Sequence, residues 1–103
     1  MSNHRIFKYE LDITDRQILK LPAGSRILHA DNQNGQLCLW AIVDAAKECA
    51  TPVEIKIVGT GQPINDLDRE RDVYFKTVMS GYFVWHIFIS YFFDVKKELG
   101  VDD

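Results

Sequence analysis

A chain of 103 residues, 47% apolar and 26% charged, carries enough nonpolar side chain for one compact domain, which excludes a disordered polymer and a fold dependent on metals or cross-links. A net charge of −3 removes the clustered cations that sequence-independent nucleic-acid binding requires, so a nucleic-acid partner is not expected. The start, MSNHRIFKYELD, lacks a signal-peptide apolar run, and the longest apolar stretch, YFVWHIFISYFF, is too short to cross a bilayer as a helix; a cytoplasmic protein with no membrane association is expected.

In FKYELDI, Phe7, Tyr9, Leu11 and Ile13 alternate with Lys8, Glu10 and Asp12, the period-two signature of a strand with one buried face. TDRQ then supplies a turn, or a Thr14 cap with Gln17 reaching back, before ILKL returns as a second strand ended by Pro22 and Gly24. RILHAD is a third strand. The Asn34-Gly35 pair, which tolerates positive φ at both central positions of a tight turn, joins it to a fourth. That fourth strand, LCLWAIVD, is apolar without alternation, which predicts a central strand covered on both faces with Trp40 in the core.

AAKECATP, stopped by Pro52, predicts a helical turn or a loop before VEIKIV, a fifth strand with Val53, Ile55 and Ile57 on one face and Glu54 and Lys56 on the other. INDLDRERD reads as a mobile loop or a brief helix capped by Asn65 or Asp66. VYFKTVMSGYFVWHIFISYFF predicts a β-hairpin turning around Ser80 and Gly81, with Phe83, Trp85, Ile87 and Ile89 on one face and Tyr82, Val84, His86 and Phe88 on the other. The expected fold is therefore mainly β: a small antiparallel sandwich or curved sheet of about seven strands with little helix, an α+β sheet with one short helix being the alternative. Residues 1–103 form a single domain in this reading, with 90–103 as a polar C-terminal extension.

The chemistry-bearing residues are sparse. Gly59-Thr60-Gly61 resembles a phosphate cradle, but Gln62 and Pro63 follow where such loops carry a further Gly or a Lys at a helix start, so a rigid turn is the simpler reading. The functional alternative has Gly59, Thr60, Gly61 and Gln62, with Arg69 or Arg71 nearby, contacting a nucleotide-type ligand. His4, His29 and His86 are dispersed and no cysteine stands at a zinc-ligand interval, so neither a metal nor another cofactor is expected. Cys38 and Cys49 read as free thiols of a reducing compartment, a disulfide between them being the alternative. No nucleophile with an adjacent base is visible, which makes a non-enzymatic protein the expectation and leaves the catalytic set empty. Tyr82, Trp85, His86 and Phe88 are the candidate partner interface, because the last hairpin carries more aromatic surface than a two-layer core consumes; a homodimer or higher oligomer through that face or edge is one way to cover it.

Read in order, KYELDITD, LPAGSRILHADNQNGQLCLWAIVD, IKIVGTGQPI and YFKTVMSGYFVWHIF resemble a family of small proteins of tailed bacteriophages and prophages, across most of residues 7–89; the stretch after Ile89 and the loop from Asn65 to Asp72 depart from that pattern. The resemblance implies a short phage-encoded protein made in the host bacterial cytoplasm. With the residue reading, it leads to a phage accessory protein that binds and modulates a bacterial host protein, in host takeover or counter-defence. A sequestering protein for a nucleotide-type signal and a minor virion or assembly component are the alternatives.

Overall fold

A computed structural model of the protein describes residues 3–91, with the side chain of Ala50 excepted. Seven strands follow one another: β1 (His4–Glu10), β2 (Gln17–Pro22), β3 (Arg26–Gln33), β4 (Gln36–Asp44), β5 (Cys49–Gly59), β6 (Val73–Ser80) and β7 (Phe83–Tyr91). They build two antiparallel sheets, ordered β1-β4-β3 and β2-β5-β7-β6, in a mainly β, sandwich-like architecture with no helix among the described residues. Ser90 and Tyr91, expected in the polar extension, are the last two residues of β7, and the rest of that extension, 92–103, lies outside the described residues.

The core is the alternation of each sheet read across the gap. Leu37, Leu39, Ala41 and Val43 of β4 are buried with Val53, Ile55 and Ile57 of β5 and with Ile87 and Ile89 of β7. Each fully buried aliphatic side chain contributes about 1.5–3 kcal/mol relative to exposure, so this inner face dominates the stability of the fold. β4 is central in its sheet, as expected. Trp40 is not in the core, however: because Leu39 and Ala41 point inward, period two turns Trp40 outward, where it is half-buried and its ring lies 5.8 Å from that of His29. The same rule leaves Cys38 buried on the outer side and free, while Cys49 is free and exposed. On the first strand segment the alternation holds for Tyr9 and for Leu11 just beyond β1, but Phe7 and Ile13 are exposed.

The turns follow backbone chemistry. Asn34 and Gly35 both have positive φ and close the β3–β4 hairpin. The β6–β7 turn is Gly81-Tyr82, one residue later than expected, since Ser80 pairs with Phe83 and Gly81 supplies the positive φ. Tyr82 is thus a turn residue rather than part of a strand face. AAKECATP forms no helical turn: a tight turn at Ala45 and Ala46 leads directly into β5, which contains Pro52, tolerated opposite Lys20 of the edge strand β2. Gln17 does reach back, exchanging hydrogen bonds with the main chain of Asp12, although no helix follows.

Glu54 and Lys56, which alternate with the core positions of β5, are both 92% buried, and the cover is the segment 60–72. Lys56 Nζ donates to the main-chain oxygen of Asp66 and to Asp72 Oδ2 at 2.7 Å, and Asp72 Oδ2 also accepts the N–H of Asp68 at 2.7 Å. Arg16, from the β1–β2 connection, pairs with Glu54. No brief helix forms in this segment; the Asp68 carboxylate accepts the N–H groups of Glu70 and Arg71 within a turn. Two ion pairs thus tie two connections to the outer face of the larger sheet, Lys56–Asp72 for the segment 60–72 and Arg16–Glu54 for the β1–β2 connection.

Lys56→Met should strand Asp72 without its cation and lower the unfolding free energy by about 3–5 kcal/mol, read from urea denaturation, with cleavage by added protease appearing first inside residues 60–72. A loss below about 1 kcal/mol would show that the ion pair does not hold the connection. On the smaller sheet, the N–H of Asn32, 2.8 Å away, and then His29, 3.6 Å away, hold the Asp31 carboxyl below the usual range. A depressed carboxyl adds stability above its unfolded pKa and loses it as pH falls through its folded pKa. The stability difference between the protein and Asp31→Asn should therefore be present at neutral pH and vanish in acid, as measured by thermal unfolding across a pH series.

Candidate functional site

Gly59 ends β5 opposite Trp85, and the next three residues turn the chain back. The N–H of Gln62 donates to the Gly59 carbonyl at 3.0 Å, and Gly61, at φ +85°, occupies the position that needs a left-handed backbone. The N–H groups are largely spoken for. That of Gly59 donates to Gln62 Oε1 at 2.8 Å, and that of Thr60 to the Val84 carbonyl at 3.2 Å. A loop whose donors are satisfied internally has little left for an anion, so the geometry matches the rigid turn. It also shows why Gly59 has no side chain: a Cβ there would meet Gln62 Oε1 at 2.8 Å and the Trp85 ring at 3.2 Å. The turn is a seat for Trp85.

Around that seat the sandwich ends in an aromatic cluster. Phe83 and Trp85 stack with centroids 5.5 Å apart and planes 15° from parallel. They border an open cleft of about 450 Å³ with Leu11, Asp12, Ile13 and Leu37. Ile13 is half exposed, Phe83 61% exposed and Tyr82, at the hairpin tip, fully exposed.

The remaining expected interface residues lie elsewhere. His86 and Phe88 belong to the opposite face of β7 from Trp85, so the four residues do not make one surface. His86 is held between two hydroxyls, Thr60 Oγ1 at 2.7 Å from Nε2 and Thr77 Oγ1 at 3.0 Å from Nδ1, and the Tyr74 hydroxyl continues the chain to Thr77 at 2.6 Å. Phe88 meets the Tyr74 ring edge-on at 5.8 Å. The hydroxyl chain was not foreseen, although closing the hairpin at Ser80 and Phe83 is enough to place Thr77 opposite His86.

Arg69 is exposed, and Arg71 is half-buried with Nε 3.6 Å from Asp68 Oδ2. Arg71 is not brought to Gly59–Gln62. Arg71 precedes β6, whose first residue pairs with Ile89, whereas Gly59 pairs with Trp85, a separation of four residues or roughly 13 Å along β7. Arg71 instead lines a cavity of about 470 Å³ with Arg26 at the far end of the sandwich. Among the described residues no group of three or more His, Cys, Asp or Glu side chains could hold a metal ion, and no helix is long and apolar enough to cross a membrane.

Gly59→Ala should displace the Trp85 ring and lower stability by about 1–3 kcal/mol, with a changed Trp85 emission in a Trp40→Phe background. Gly61→Ala should cost about 1–2 kcal/mol through its backbone conformation while leaving that emission unchanged. Equal emission changes in the two variants would break the assignment of Gly59 as the seat.

No curated protein and no solved structure matches the chain. A family model described as a domain of unknown function, DUF7352, matches residues 2–97, nearly the whole sequence, and the chain belongs to that family.

Proposed function

We propose that this chain is a non-enzymatic binding protein that docks a protein partner on the aromatic end of its sandwich and, in the phage-encoded setting that the sequence resemblance implies, modulates a bacterial host protein in the cytoplasm. The observation that carries the reading is the Phe83–Trp85 stack, bordered by half-exposed Ile13 and by fully exposed Tyr82 at the hairpin tip. Large, rigid aromatic side chains lose little conformational freedom on docking and supply most of the binding energy at protein interfaces. Here they project from a two-residue hairpin turn and are backed by the Gly59 seat, so the surface is pre-formed. The chemistry is stacking and apolar contact. The one histidine on this hairpin is held at both ring nitrogens by threonine hydroxyls, an arrangement suited to positioning a side chain.

Immobilised protein exposed to bacterial lysate should retain one protein in stoichiometric amount. Phe83→Ser with Tyr82→Ala should release it, while Lys20→Gln on the edge strand β2 should retain it. Retention by both variants, or no stoichiometric partner together with unchanged phage growth on deletion, would count against the reading. Light scattering of the free protein separates a second copy from a host partner as the occupant, and recovery in purified particles would favour an assembly role instead.

A further inference from the structure

The two sheets have four edge strands, β1 and β3 in one and β2 and β6 in the other. An open edge is a template for another strand, and folds blunt it with a bulge, a proline or a charge. Three of the four are blunted, since the pairing register breaks between Leu21 and Pro22, between Ile27 and His29 and between Tyr74 and Lys76. β3 and β6 also approach each other, with Lys76 Nζ 2.7 Å from His29 Nδ1. β1, by contrast, pairs with β4 in one unbroken register from His4 to Glu10, contains no proline, and is exposed from His4 to Lys8. Its single lysine does not guard the edge, because Lys8 Nζ reaches over the outer face of β4 to Gln33 Oε1 of β3 at 2.7 Å. The Asn3 carbonyl accepts the N–H of Ala45, and the N–H of Leu11 donates to the Leu37 carbonyl, so the odd-numbered residues turn their main-chain groups to β4. The even-numbered ones, Ile6 and Lys8 at the centre, turn theirs to the opposite side, with which no strand pairs among the described residues. Ile6 is 62% and Phe7 41% exposed.

We propose that β1 is a dimerisation edge, on which β1 of a second copy pairs antiparallel about a twofold axis at Phe7 and joins the two three-stranded sheets into one continuous sheet. Even-numbered residues must pair with even-numbered ones for the outward groups to meet, and centring the register on Phe7 uses the whole strand. Ile6 of each copy then exchanges both hydrogen bonds with Lys8 of the other. The two Phe7 side chains face one another in a non-hydrogen-bonded pair, the closer of the two cross-strand spacings. Charge favours a copy of the same strand, because the antiparallel arrangement sets the end that bears Arg5 beside the end that bears Glu10 and Asp12, twice over. A self-complementary patch of this kind closes as a dimer and leaves no edge for further growth. The edge is separate from Tyr82 and Phe83, so it stands or falls independently of the docking surface.

The test is sedimentation equilibrium of the full chain. The mass should approach twice the 11.9 kDa of one chain, with a dissociation constant below about 100 µM. Phe7→Lys and Phe7→Glu should each be monomeric at about 300 µM, because like charges then face one another across the axis, whereas an equimolar mixture of the two should recover the dimer. Recovery in the mixture also shows that both variants fold. Phe83→Ser with Tyr82→Ala should remain dimeric. In hydrogen exchange the amides of Ile6 and Lys8 should be protected in the dimer and should lose that protection in Phe7→Lys. The proposal is overturned by a single-chain mass for the unaltered protein at about 300 µM, by a dimer that survives Phe7→Lys, by a mixture that stays monomeric, or by loss of the dimer in Phe83→Ser with Tyr82→Ala. It is equally overturned by protection of Ile6 and Lys8 that persists in monomeric Phe7→Lys, which would assign the edge to another segment of the same chain.

Discussion

The burial of Val53, Ile55 and Ile57 on β5 against the inner face of β4 is the constraint on which the rest of the molecule depends. Once those three side chains face the partner sheet, the pleat allows Glu54 and Lys56 only the opposite side. A one-residue slip would put both charges into the core, where they would lack water and partners, so the register is strongly specified. The cost of placing them near the middle of the larger sheet is met by the segment 60–72 and by Arg16, which supply the opposite charges and a main-chain acceptor. A connection that composition marks as polar and mobile is thereby drawn onto the sheet.

The same register distributes the surface features. Gly59 and Trp85 lie opposite one another where β5 leaves β7, so the glycine that turns the chain also makes room for the indole. The hairpin beyond carries Phe83 and Tyr82 outward, and no second layer covers them fully. At the other end, where β3 and β6 begin, Arg26, Glu70 and Arg71 line a cavity together with Phe75 and Ile89. One end carries exposed aromatic rings and the other a cavity lined by charges of both signs, a difference that follows from which strand ends lie together.

Much of the framework was legible before any coordinates. Alternation in Phe7–Ile13 and Val53–Val58, the Asn34-Gly35 pair and the β-branched run before Tyr91 are local signals, and the strands and turns they mark are present. The errors have physical causes. The alanine-rich stretch before Pro52 reads as a helical turn or a loop, and it is a tight turn; Pro52 itself falls within β5, one residue before Val53, where the pairing with β7 begins. Trp40 looked like core because its neighbours are apolar, but β4 alternates in orientation if not in hydrophobicity. Tyr82 was displaced from strand to turn by a one-residue shift of the hairpin, which is decided by whether Gly81 takes the first or the second turn position.

The candidate sites were less legible because each joins residues distant in the chain. Sequence alone determined the β class, the strand count, the tight turn at Gly59–Gln62 and the aromatic surplus of the last hairpin, since all of these depend on side-chain period and on the backbone freedom of glycine. Only the tertiary structure decided that Lys56 meets Asp72, that Thr60 and Thr77 grip His86, and that Arg71 lies with Arg26 rather than with Gly61. Those pairings depend on which strands become neighbours and in what register, and that is set by the summed burial of the two inner faces rather than by any local stretch.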